Sequence, residues 1–281
     1  MKLSTLIVTA DDFGMAREVN EAVEMAHRHG ILTCASLMVG GAAAPEAIAM
    51  ARRISTLKVG LHLVLVEDRP VLPPAAIPDL VDADGLFRRD LIQVGTEMFL
   101  RPKVKQQLAA EITAQFEAFH ATGLSIDHVN AHKHYHLHPT VASLILDIGP
   151  RFGMRALRVP IEPPSTIQSI EPGTARLIPM ITAPWSRLLS YRARHSGLQV
   201  ADQVFGLAWS GAMTNSRLQS VLSRLPEGIT EIYAHPATSG GFEGAADGYR
   251  YAEELAALVS PETVALVRQA KIRLCGFGDL N

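Results

Sequence analysis

Histidines are concentrated in one short stretch of this chain. Five of its eleven histidines lie in the thirteen residues HVNAHKHYHLHPT, from His128 to Thr140. Imidazole is the commonest metal-binding side chain, and it also transfers protons near neutral pH. Five imidazoles so close together cannot all bind one ion. We therefore predict one ligand histidine here, with the others in supporting, packing or surface positions.

Carboxylates and further histidines follow other apolar runs. Asp11 and Asp12 come directly after TLIVTA, His62 lies in KVGLHLVLV, and His235 follows EIYA. One carboxylate and two imidazoles suit a divalent metal and leave coordination positions for water and substrate. A bound ion lowers the pKa of its water to roughly 7. A second carboxylate could then take the proton from that water, and a histidine opposite could protonate a leaving amine.

Each of these residues also has a simpler structural explanation. An Asp pair after a strand can cap the following helix, and a lone histidine such as His62 is more often a core residue. His235 precedes Pro236 and could belong to a loop. The metal-site hypothesis therefore depends on the conjunction at several strand ends. Four other histidines lack such a context and are interpreted as surface residues: His27, His29, His120 and His195.

The elements that would position these residues alternate along the chain. TLIVTA is apolar, continuous and β-branched, as in a strand buried on both faces. REVNEAVEMAHRH has apolar residues at helical spacing, and Gly30 follows at a C-cap position. Further strands are predicted at LTCASLMVG, KVGLHLVLV, SIDHVNA, ALRVP and ITEIYA, and further helices at APEAIAMARRI, KQQLAAEITAQFEAFHATG and TVASLILDI.

Repeated strand–helix units predict an α/β fold with a parallel sheet. At 281 residues, a single domain built as a TIM-like (β/α) barrel is more natural than an open sheet. Active sites of such folds lie at the carboxyl ends of the strands, where the acidic pair and the candidate histidines fall. The pattern thus predicts that residues from four strand ends converge on one site.

Two long segments interrupt this pattern. VEDRPVLPPAAIPDLVDADG is proline-rich and acidic and is predicted to be a surface loop. Residues 162–208 contain several prolines and arginines and are predicted to be irregular, as lids and binding loops often are. Residues 183–209 mix aromatic and leucine side chains with arginines. They could contact a membrane surface, cover a lipid, or form a packed lid or a homodimer interface.

Composition narrows the class of protein further. Hydrophobic residues make up 48% and charged residues 19%, as in ordinary globular proteins. The net charge of -2 argues against a nucleic-acid partner. The only cysteines, Cys34 and Cys275, favour a reducing cytoplasm over a disulfide framework. No run reaches the ~18 apolar residues that span a bilayer, and MKLSTLIVTADDFG does not resemble a signal peptide.

Five motifs occur in order: TADDFG, VGLHLVL, DHVNAHKHYHLHP, ALRVPIEP and EIYAHPA. Each motif alone is weak, but the set, which extends from Leu6 to about Tyr251, resembles the YdjC-like carbohydrate deacetylases. Longer stretches, among them LTCASLMVGG and GLHLVLVEDRPVLPP, resemble the branch of that family associated with hopanoid biosynthesis (HpnK). The resemblance implies a distorted (β/α) barrel that hydrolyses the N-acetyl group of an amino sugar.

The same resemblance assigns roles to individual residues. It implies that Asp12, His62 and His132 bind one divalent ion. Zn²⁺ and Mg²⁺ are expected first, and the ligand types also admit Mn²⁺, Co²⁺ or Ni²⁺. Asp11 would be the general base and His235 the general acid. Four further residues are predicted to line the substrate pocket or to orient these groups: His134, His136, Arg158 and Glu162.

Several alternatives stay open at this point. Arg158 and Glu162 could equally form a surface ion pair. Asn130 stands where related sequences often have an acidic residue, so a supporting carboxylate is in doubt there. The hopanoid branch implies an N-acetylglucosaminyl hopanoid as substrate, at the inner face of the membrane. Soluble chitooligosaccharides are the alternative substrate. A sugar- or lipid-binding protein without turnover is disfavoured, because it would need only one carboxylate of the Asp11–Asp12 pair.

Overall fold

One curled parallel sheet organises the computed structural model, which describes residues 4–174 and 177–280. Its strands are β1 (Thr5–Phe13), β2 (Cys34–Leu37), β3 (Lys58–Leu63), β4 (Val129–Ala131), β5 (Gln203–Phe205), β6 (Ile229–Ala234) and β7 (Arg273–Leu274). The order across the sheet is β4-β3-β2-β1-β6-β5, and β7 pairs with the first residues of β1. Each of these pairs is parallel. The predicted α/β fold with a parallel sheet is confirmed.

Helices connect the strands, as the repeated strand–helix pattern predicts. They are α1 (Arg17–His29), α2 (Ala44–Arg53), α3 (Leu91–Leu100), α4 (Pro102–Ala121), α5 (Pro139–Ile148), α6 (Pro164–Ile170), α7 (Leu177–His195), α8 (Asn215–Leu222), α9 (Tyr251–Val259) and α10 (Pro261–Gln269). In α1 the buried residues include Val19, Ala22, Val23 and Ala26, which is the predicted apolar face. Gly30 ends this helix, and a Cβ there would lie 2.3 Å from the Leu258 carbonyl oxygen. Glycine is therefore needed where α1 and α9 approach each other.

The two edges of the sheet are bridged by an irregular segment, residues 156–161. The Val129 N–H donates to the Ala156 carbonyl at 3.1 Å, and the Val204 N–H donates to the Ile161 carbonyl at 2.9 Å. ALRVP, predicted to be a strand, forms only isolated parallel bridges. The sheet therefore has the form of a distorted TIM-like barrel in which one strand position is irregular.

The prediction that residues 162–208 are irregular is wrong. This segment contains α6, α7 and β5, although Ala175 and Arg176 lie outside the described residues. Proline misled the prediction because it breaks a helix interior but fits the first turn, where its missing N–H costs nothing. Pro164 begins α6 in this way, and Pro184 lies inside α7.

The acidic, proline-rich segment is mostly without regular structure, with one short 3₁₀ turn at Pro74–Ala76, as its composition predicts. Both cysteines are buried and free, in a small apolar cluster with Ile7, Val204 and Phe277. Among the described residues, no helix has the length and apolar character needed to cross a membrane. The predictions about the N-terminus involve residues 1–3, which lie outside the described ranges.

Candidate metal centre

The acidic pair lies at the end of β1, where a β-bulge changes the direction of its side chains. Successive strand residues normally point to opposite faces. The register of β1 against β2 shifts between Ala10 and Phe13, and Asp12 has a φ of 63°. Non-glycine residues seldom adopt this left-handed conformation, and bulges are common beside active sites. The break allows both Asp11 and Asp12 to contact residues from neighbouring strands.

Asp12 and two histidines form a cluster that fits a divalent ion. The Nε2 atom of His62 and the Nδ1 atom of His132 each lie 3.2 Å from Oδ1 of Asp12. The three donor atoms lie within 4.8 Å of one another. Nε2 of His62 is buried and makes no hydrogen bond, so no other group competes with an ion for this nitrogen. The 14% exposure of the His132 side chain leaves the cluster open on one side.

The charges of the cluster also suit a metal. Burial opposes ionisation of Asp12, but the hydrogen bond from His132 and the close contact with His62 hold the pKa of this carboxyl well below its usual range. Burial also opposes a charge on His62, yet its contact with Asp12 raises the pKa of the imidazole. A cation would therefore displace a proton from His62, so metal affinity should fall as the pH falls.

Asp11 lies beside this cluster and is held by two other donors. Nη1 of Arg158 donates to Oδ2 at 2.5 Å, and Nδ2 of Asn130 donates to Oδ1 at 3.0 Å. Burial would raise the pKa of Asp11, but the Arg158 charge holds it well below its usual range. Asp11 is therefore an ionised carboxylate whose partners differ from those of Asp12.

Arg158 links the acidic pair to β6. Its Nε and Nη2 atoms donate to Oε1 of Glu231 at 2.9 and 2.7 Å, and the Thr9 hydroxyl donates to the same oxygen at 2.8 Å. The side chain of Arg158 is fully buried, which excludes the alternative of a surface ion pair. Its role is to balance two buried carboxylates, which would otherwise be costly to keep charged.

His235 follows β6 and lies near the acidic pair. Its ring lies between Tyr233 and Tyr249, with centroid separations of 5.7 and 5.0 Å. Its backbone N–H donates to Oε2 of the buried Glu254 at 2.5 Å, which anchors the end of the strand. Nδ1 of His235 is buried without a hydrogen-bond partner. The ring is therefore fixed by packing and keeps a nitrogen available for proton transfer.

The histidine-rich segment is not extended beyond β4. Residues 132–137 form a 3₁₀ segment in which Lys133 and His134 have φ values of 52° and 53°. The alternation that would place His134 and His136 on one side is therefore absent. Their rings are nevertheless neighbours, 5.8 Å apart. Two adjacent left-handed residues are a strained arrangement of the kind found at functional sites.

These two histidines are neutral at physiological pH. Nε2 of His134 is 2.8 Å from the Tyr233 hydroxyl, and both ring nitrogens of His136 are buried without partners. Burial lowers the pKa of His134 to about 3 and also lowers the pKa of His136 far below its ordinary value. Neutral rings can donate and accept hydrogen bonds, but they cannot act as cationic acids.

Glu162 has a different environment from the rest of the predicted site. Its carboxylate accepts hydrogen bonds from the backbone N–H groups of Gly206, Leu207 and Ala208, at 2.9 to 3.0 Å. Burial raises the pKa of this carboxyl. These contacts anchor the loop after β5, and the predicted contact with sugar remains a prediction.

Sequence reasoning missed three buried polar residues that complete the arrangement. Glu231 balances Arg158, Glu254 anchors His235, and Ser36 hydrogen-bonds Asn130 at 2.9 Å. Glu231 could have been noticed as the one charged residue in the apolar run ITEIYA, because a buried carboxylate needs a partner. Nothing in the local sequence indicates the role of Ser36, since its partners come from another strand.

The fold and the site together define a class: distorted α/β barrels with a candidate metal centre at the carboxyl ends of their strands. Within that class, the chain belongs to the YdjC-like protein family, whose family model matches residues 5–269. One relative is a "Carbohydrate deacetylase" of Brevibacillus brevis, which is 30% identical over 98% of this chain and 99% of that protein. A "Carbohydrate deacetylase" of Geobacillus stearothermophilus is also 30% identical, over 97% of this chain and 96% of its own.

A solved structure has a similar fold. A protein of Enterococcus faecalis, described as a cellobiose-phosphate cleavage protein, is similar with a TM-score of 0.76 and 23% identity. The match covers 98% of each chain. The similarity therefore extends to the whole barrel rather than to a part of it.

Proposed function

We propose that this protein is a metal-dependent carbohydrate deacetylase, a hydrolase that cleaves the acetamide C–N bond of an N-acetylglucosamine unit and releases acetate. The observation that carries this proposal is the division between two adjacent buried carboxylates. Asp12 contacts the cluster histidines, whereas Asp11 contacts Arg158 and Asn130. A binding protein needs only the first arrangement. The names of the relatives support the same reaction.

Asp12, His62 and His132 would hold the ion. When bound, a divalent metal supplies a Lewis acid that polarises the acetamide carbonyl and makes water a better nucleophile. Zn²⁺ and Mg²⁺ are the first candidates, and Mn²⁺, Co²⁺ and Ni²⁺ also suit one carboxylate and two imidazoles. These ligands leave room for substrate, because His132 faces solvent on one side.

Asp11 accepts the proton from the attacking water. It stays ionised at neutral pH because Arg158 compensates its charge, and the same contact holds the carboxylate in one position. His235 donates a proton to the departing sugar amine, from a ring held between two tyrosines. His134 and His136, which stay neutral, offer hydrogen bonds to the sugar or to groups around it.

The proposed substrate is an N-acetylglucosaminyl hopanoid lipid, which is deacetylated at the inner face of the membrane. Exposed apolar side chains on α7 support this choice: Trp185, Leu188 and Tyr191 recur at helical spacing and are 47%, 47% and 60% exposed. The other apolar side chains predicted to join them are buried: Leu189, Phe205 and Trp209. The contact face is therefore smaller than the sequence suggests.

A second group of exposed apolar side chains lies on α3. Ile92, Phe99 and Leu100 are 89%, 64% and 67% exposed. The Phe99 ring packs against His138, and α7 packs against residues 132–137, so both helices adjoin the histidine-rich segment. Exposed Arg187 and Arg194 on α7 suit an anionic surface. An apolar aglycone could rest on these helices while its sugar reaches the cluster.

A substrate panel tests the reaction and the substrate together. Purified, metal-reconstituted protein is incubated with an N-acetylglucosaminyl hopanoid or with diacetylchitobiose, and free amine and acetate are measured. We expect acetate from both substrates and a higher kcat/KM for the lipid. A higher kcat/KM for diacetylchitobiose would favour the soluble substrate. Substrate binding without acetate release would support a binding protein instead.

A further inference from the structure

A continuous chain of buried hydrogen bonds connects the candidate metal centre to Asp127, which precedes β4. It begins at Asn130, whose Oδ1 is 2.7 Å from Nδ1 of His62 and whose Nδ2 is 3.0 Å from Oδ1 of Asp11. The same Nδ2 donates to Oγ of Ser36 at 2.9 Å. Ser36 in turn lies 2.9 Å from Nε2 of His128. The side chains of all these residues are almost fully buried.

The chain ends at a fixed acceptor. Nδ1 of His128 is 2.9 Å from Oδ2 of Asp127. Asp127 also accepts hydrogen bonds from the backbone N–H groups of Phe277 and Gly278, at 3.2 and 2.8 Å. Burial opposes the charge of Asp127, but His128 and these amides hold its pKa below the usual range. An ionised carboxylate can only accept, so the direction of every other bond follows from it.

Counting donors and acceptors gives one consistent assignment. His128 donates from Nδ1 to Asp127, so its Nε2 accepts from the Ser36 hydroxyl. The Ser36 oxygen then accepts one N–H of Asn130, and the other N–H goes to Asp11. The Asn130 carbonyl is left to accept from Nδ1 of His62. In the neutral ring of His62, the lone pair consequently lies on Nε2, the atom that faces Asp12.

We propose that Asn130 is a positioning residue that acts on both halves of the proposed reaction. Its carbonyl holds His62 in the tautomer and orientation that a metal ligand needs, as partners behind ligand histidines commonly do. Its amino group holds the Asp11 carboxylate. Asp11 prevents the amide from turning over, because the reversed amide would present its carbonyl oxygen to an ionised carboxylate. Ser36 supports the same orientation, since its hydroxyl donates to His128 and its oxygen accepts from the amide. This proposal deepens the proposed function and rests on it.

The backbone is built to admit this chain. Strand alternation places Gly60 and His62 on one face of β3, and His62 pairs directly with Asn130 across the sheet. A Cβ on Gly60 would lie 2.5 Å from the His128 ring. Glycine therefore makes the space that His128 needs between Ser36 and Asp127. An amide at position 130 suits the partners in this chain, since an aspartate there would place an acceptor against the Asp11 carboxylate.

The far end of the hydrogen-bond chain, at Asp127 and His128, is not a second metal site. Cys34, Asp127 and His128 are close enough to be tested as ligands. However, both oxygens of Asp127 and both nitrogens of His128 are already engaged in hydrogen bonds. Burial also raises the pKa of the Cys34 thiol well above its ordinary value, so it is not a thiolate. The residues therefore serve to orient Asn130.

Two substitutions of Asn130 separate its two functions. Asn130→Asp keeps an acceptor for His62 but loses both donors, so Co²⁺ affinity should stay within about threefold while kcat falls at least about tenfold. Asn130→Ala loses both functions, so Co²⁺ affinity should fall roughly 10- to 100-fold. Affinity is measured by titration of the metal-free protein, with no substrate present. Turnover is measured on the better substrate of the panel.

Gln107→Glu is the matched control. Gln107 lies on α4, is also buried, and its amide donates to the Asp79 carboxylate at 2.6 Å, so this pair involves none of the cluster residues. The exchange places two carboxylates together, as Asn130→Asp does, but it should leave metal affinity and kcat unchanged. Ser36→Ala removes only the orienting contact and should weaken Co²⁺ binding by a few fold. If the variants of Asn130 do not fold, Ser36→Ala tests the positioning role in their place.

The results separate this proposal from the proposed function. Wild-type Co²⁺ affinity in Asn130→Ala, or in Ser36→Ala if Asn130→Ala does not fold, would overturn the positioning role. So would wild-type kcat in Asn130→Asp. A wild-type protein that binds Co²⁺ but deacetylates neither substrate would overturn the proposed function. The affinity measurements would still decide whether Asn130 orients His62.

Discussion

Two adjacent carboxylates at the end of β1 have different partners, and the roles proposed for them rest on this difference. Asp12 meets two imidazoles, one with a buried nitrogen that has no hydrogen bond. Asp11 accepts hydrogen bonds from a guanidinium and an amide, which hold the carboxylate in place and are not metal ligands. The proposed ligand and the proposed base are therefore distinguished by their neighbours rather than by residue type.

Replacing each aspartate by asparagine tests this division. Asp11→Asn should bind metal almost as the wild type does, but its kcat should fall roughly 10²- to 10⁴-fold, the usual contribution of a proton-transfer group. Asp12→Asn should lose metal affinity as well, because an amide is a poorer ligand than a carboxylate. Metal content is measured by mass spectrometry and turnover by acetate release. Equal loss of metal in two folded variants would show that the distinction is wrong.

The ion pairs of Arg158 give a second prediction at this scale. Arg158→Met would leave Asp11 and Glu231 buried without their shared cation. Removing one partner of a buried pair costs about 3–5 kcal/mol, so urea unfolding of the metal-free protein should show a loss of this size. Arg17→Met is the control, since Arg17 and its partner Glu21 are exposed, and it should change the unfolding free energy very little.

The pH dependence of that loss has a definite sign. The pKa of Asp11 is lowered in the folded protein, so its stabilisation is fully present above the ordinary value of 3.8 and is lost as the pH falls. The difference between wild type and Arg158→Met should therefore shrink under acid conditions. A difference that grew as the pH fell would contradict the account of Asp11.

At the scale of elements, the site is made by irregularities in otherwise regular structure. A bulge ends β1, two left-handed residues follow β4, and a segment with only isolated bridges replaces one strand of the barrel. Regular alternation would have placed the aspartates on opposite faces of the sheet. The helices α3 and α7 each carry exposed apolar side chains beside the histidine-rich segment.

The α7 face provides a prediction about the substrate. Trp185→Ser combined with Leu188→Ser should lower kcat/KM for the hopanoid glycolipid by about tenfold or more. Burying apolar area gives about 25 cal/mol per Å² before ordering costs, so tens of Å² suffice for 1.4 kcal/mol. Turnover of diacetylchitobiose should stay unchanged. Both rates are measured by acetate release.

Met25→Ser supplies the control for this face, because Met25 is an exposed apolar residue on α1 with 42% exposure. It should affect neither substrate. Equal effects of the α7 double variant on the two substrates would reject the lipid contact. A change from dimer to monomer in sedimentation would show that this face binds a second copy of the chain instead.

At the scale of the whole molecule, the sequence was most informative where local periodicity and burial agree. TLIVTA and REVNEAVEMAHRH predicted a strand and a helix that the structure contains, and their repetition predicted the parallel barrel. Prolines in residues 162–208 suggested irregularity, yet Pro164 begins a helix and Pro184 lies inside one. The location of a proline within a turn cannot be known before the helix ends are known.

The candidate site was predictable only in part, because local sequence does not show which residues of different strands lie side by side. Strand ends place Asp12, His62 and His132 together, because parallel strands present their carboxyl ends to one side. Contacts between strands depend on register, which no local pattern contains. Ser36 and Glu231 therefore gave little indication of their partners, and the role of Asn130 became evident only from its three hydrogen bonds.

The most direct test of the account is the metal content of the wild type and of His62→Ala and His132→Ala. Each protein is stripped with a chelator, equilibrated with Zn²⁺ or Co²⁺, dialysed and measured by mass spectrometry. We expect about one ion per chain in the wild type and little in either variant, because each loses one of three ligands. Full occupancy in both folded variants would contradict the assignment of Asp12, His62 and His132 as the metal centre.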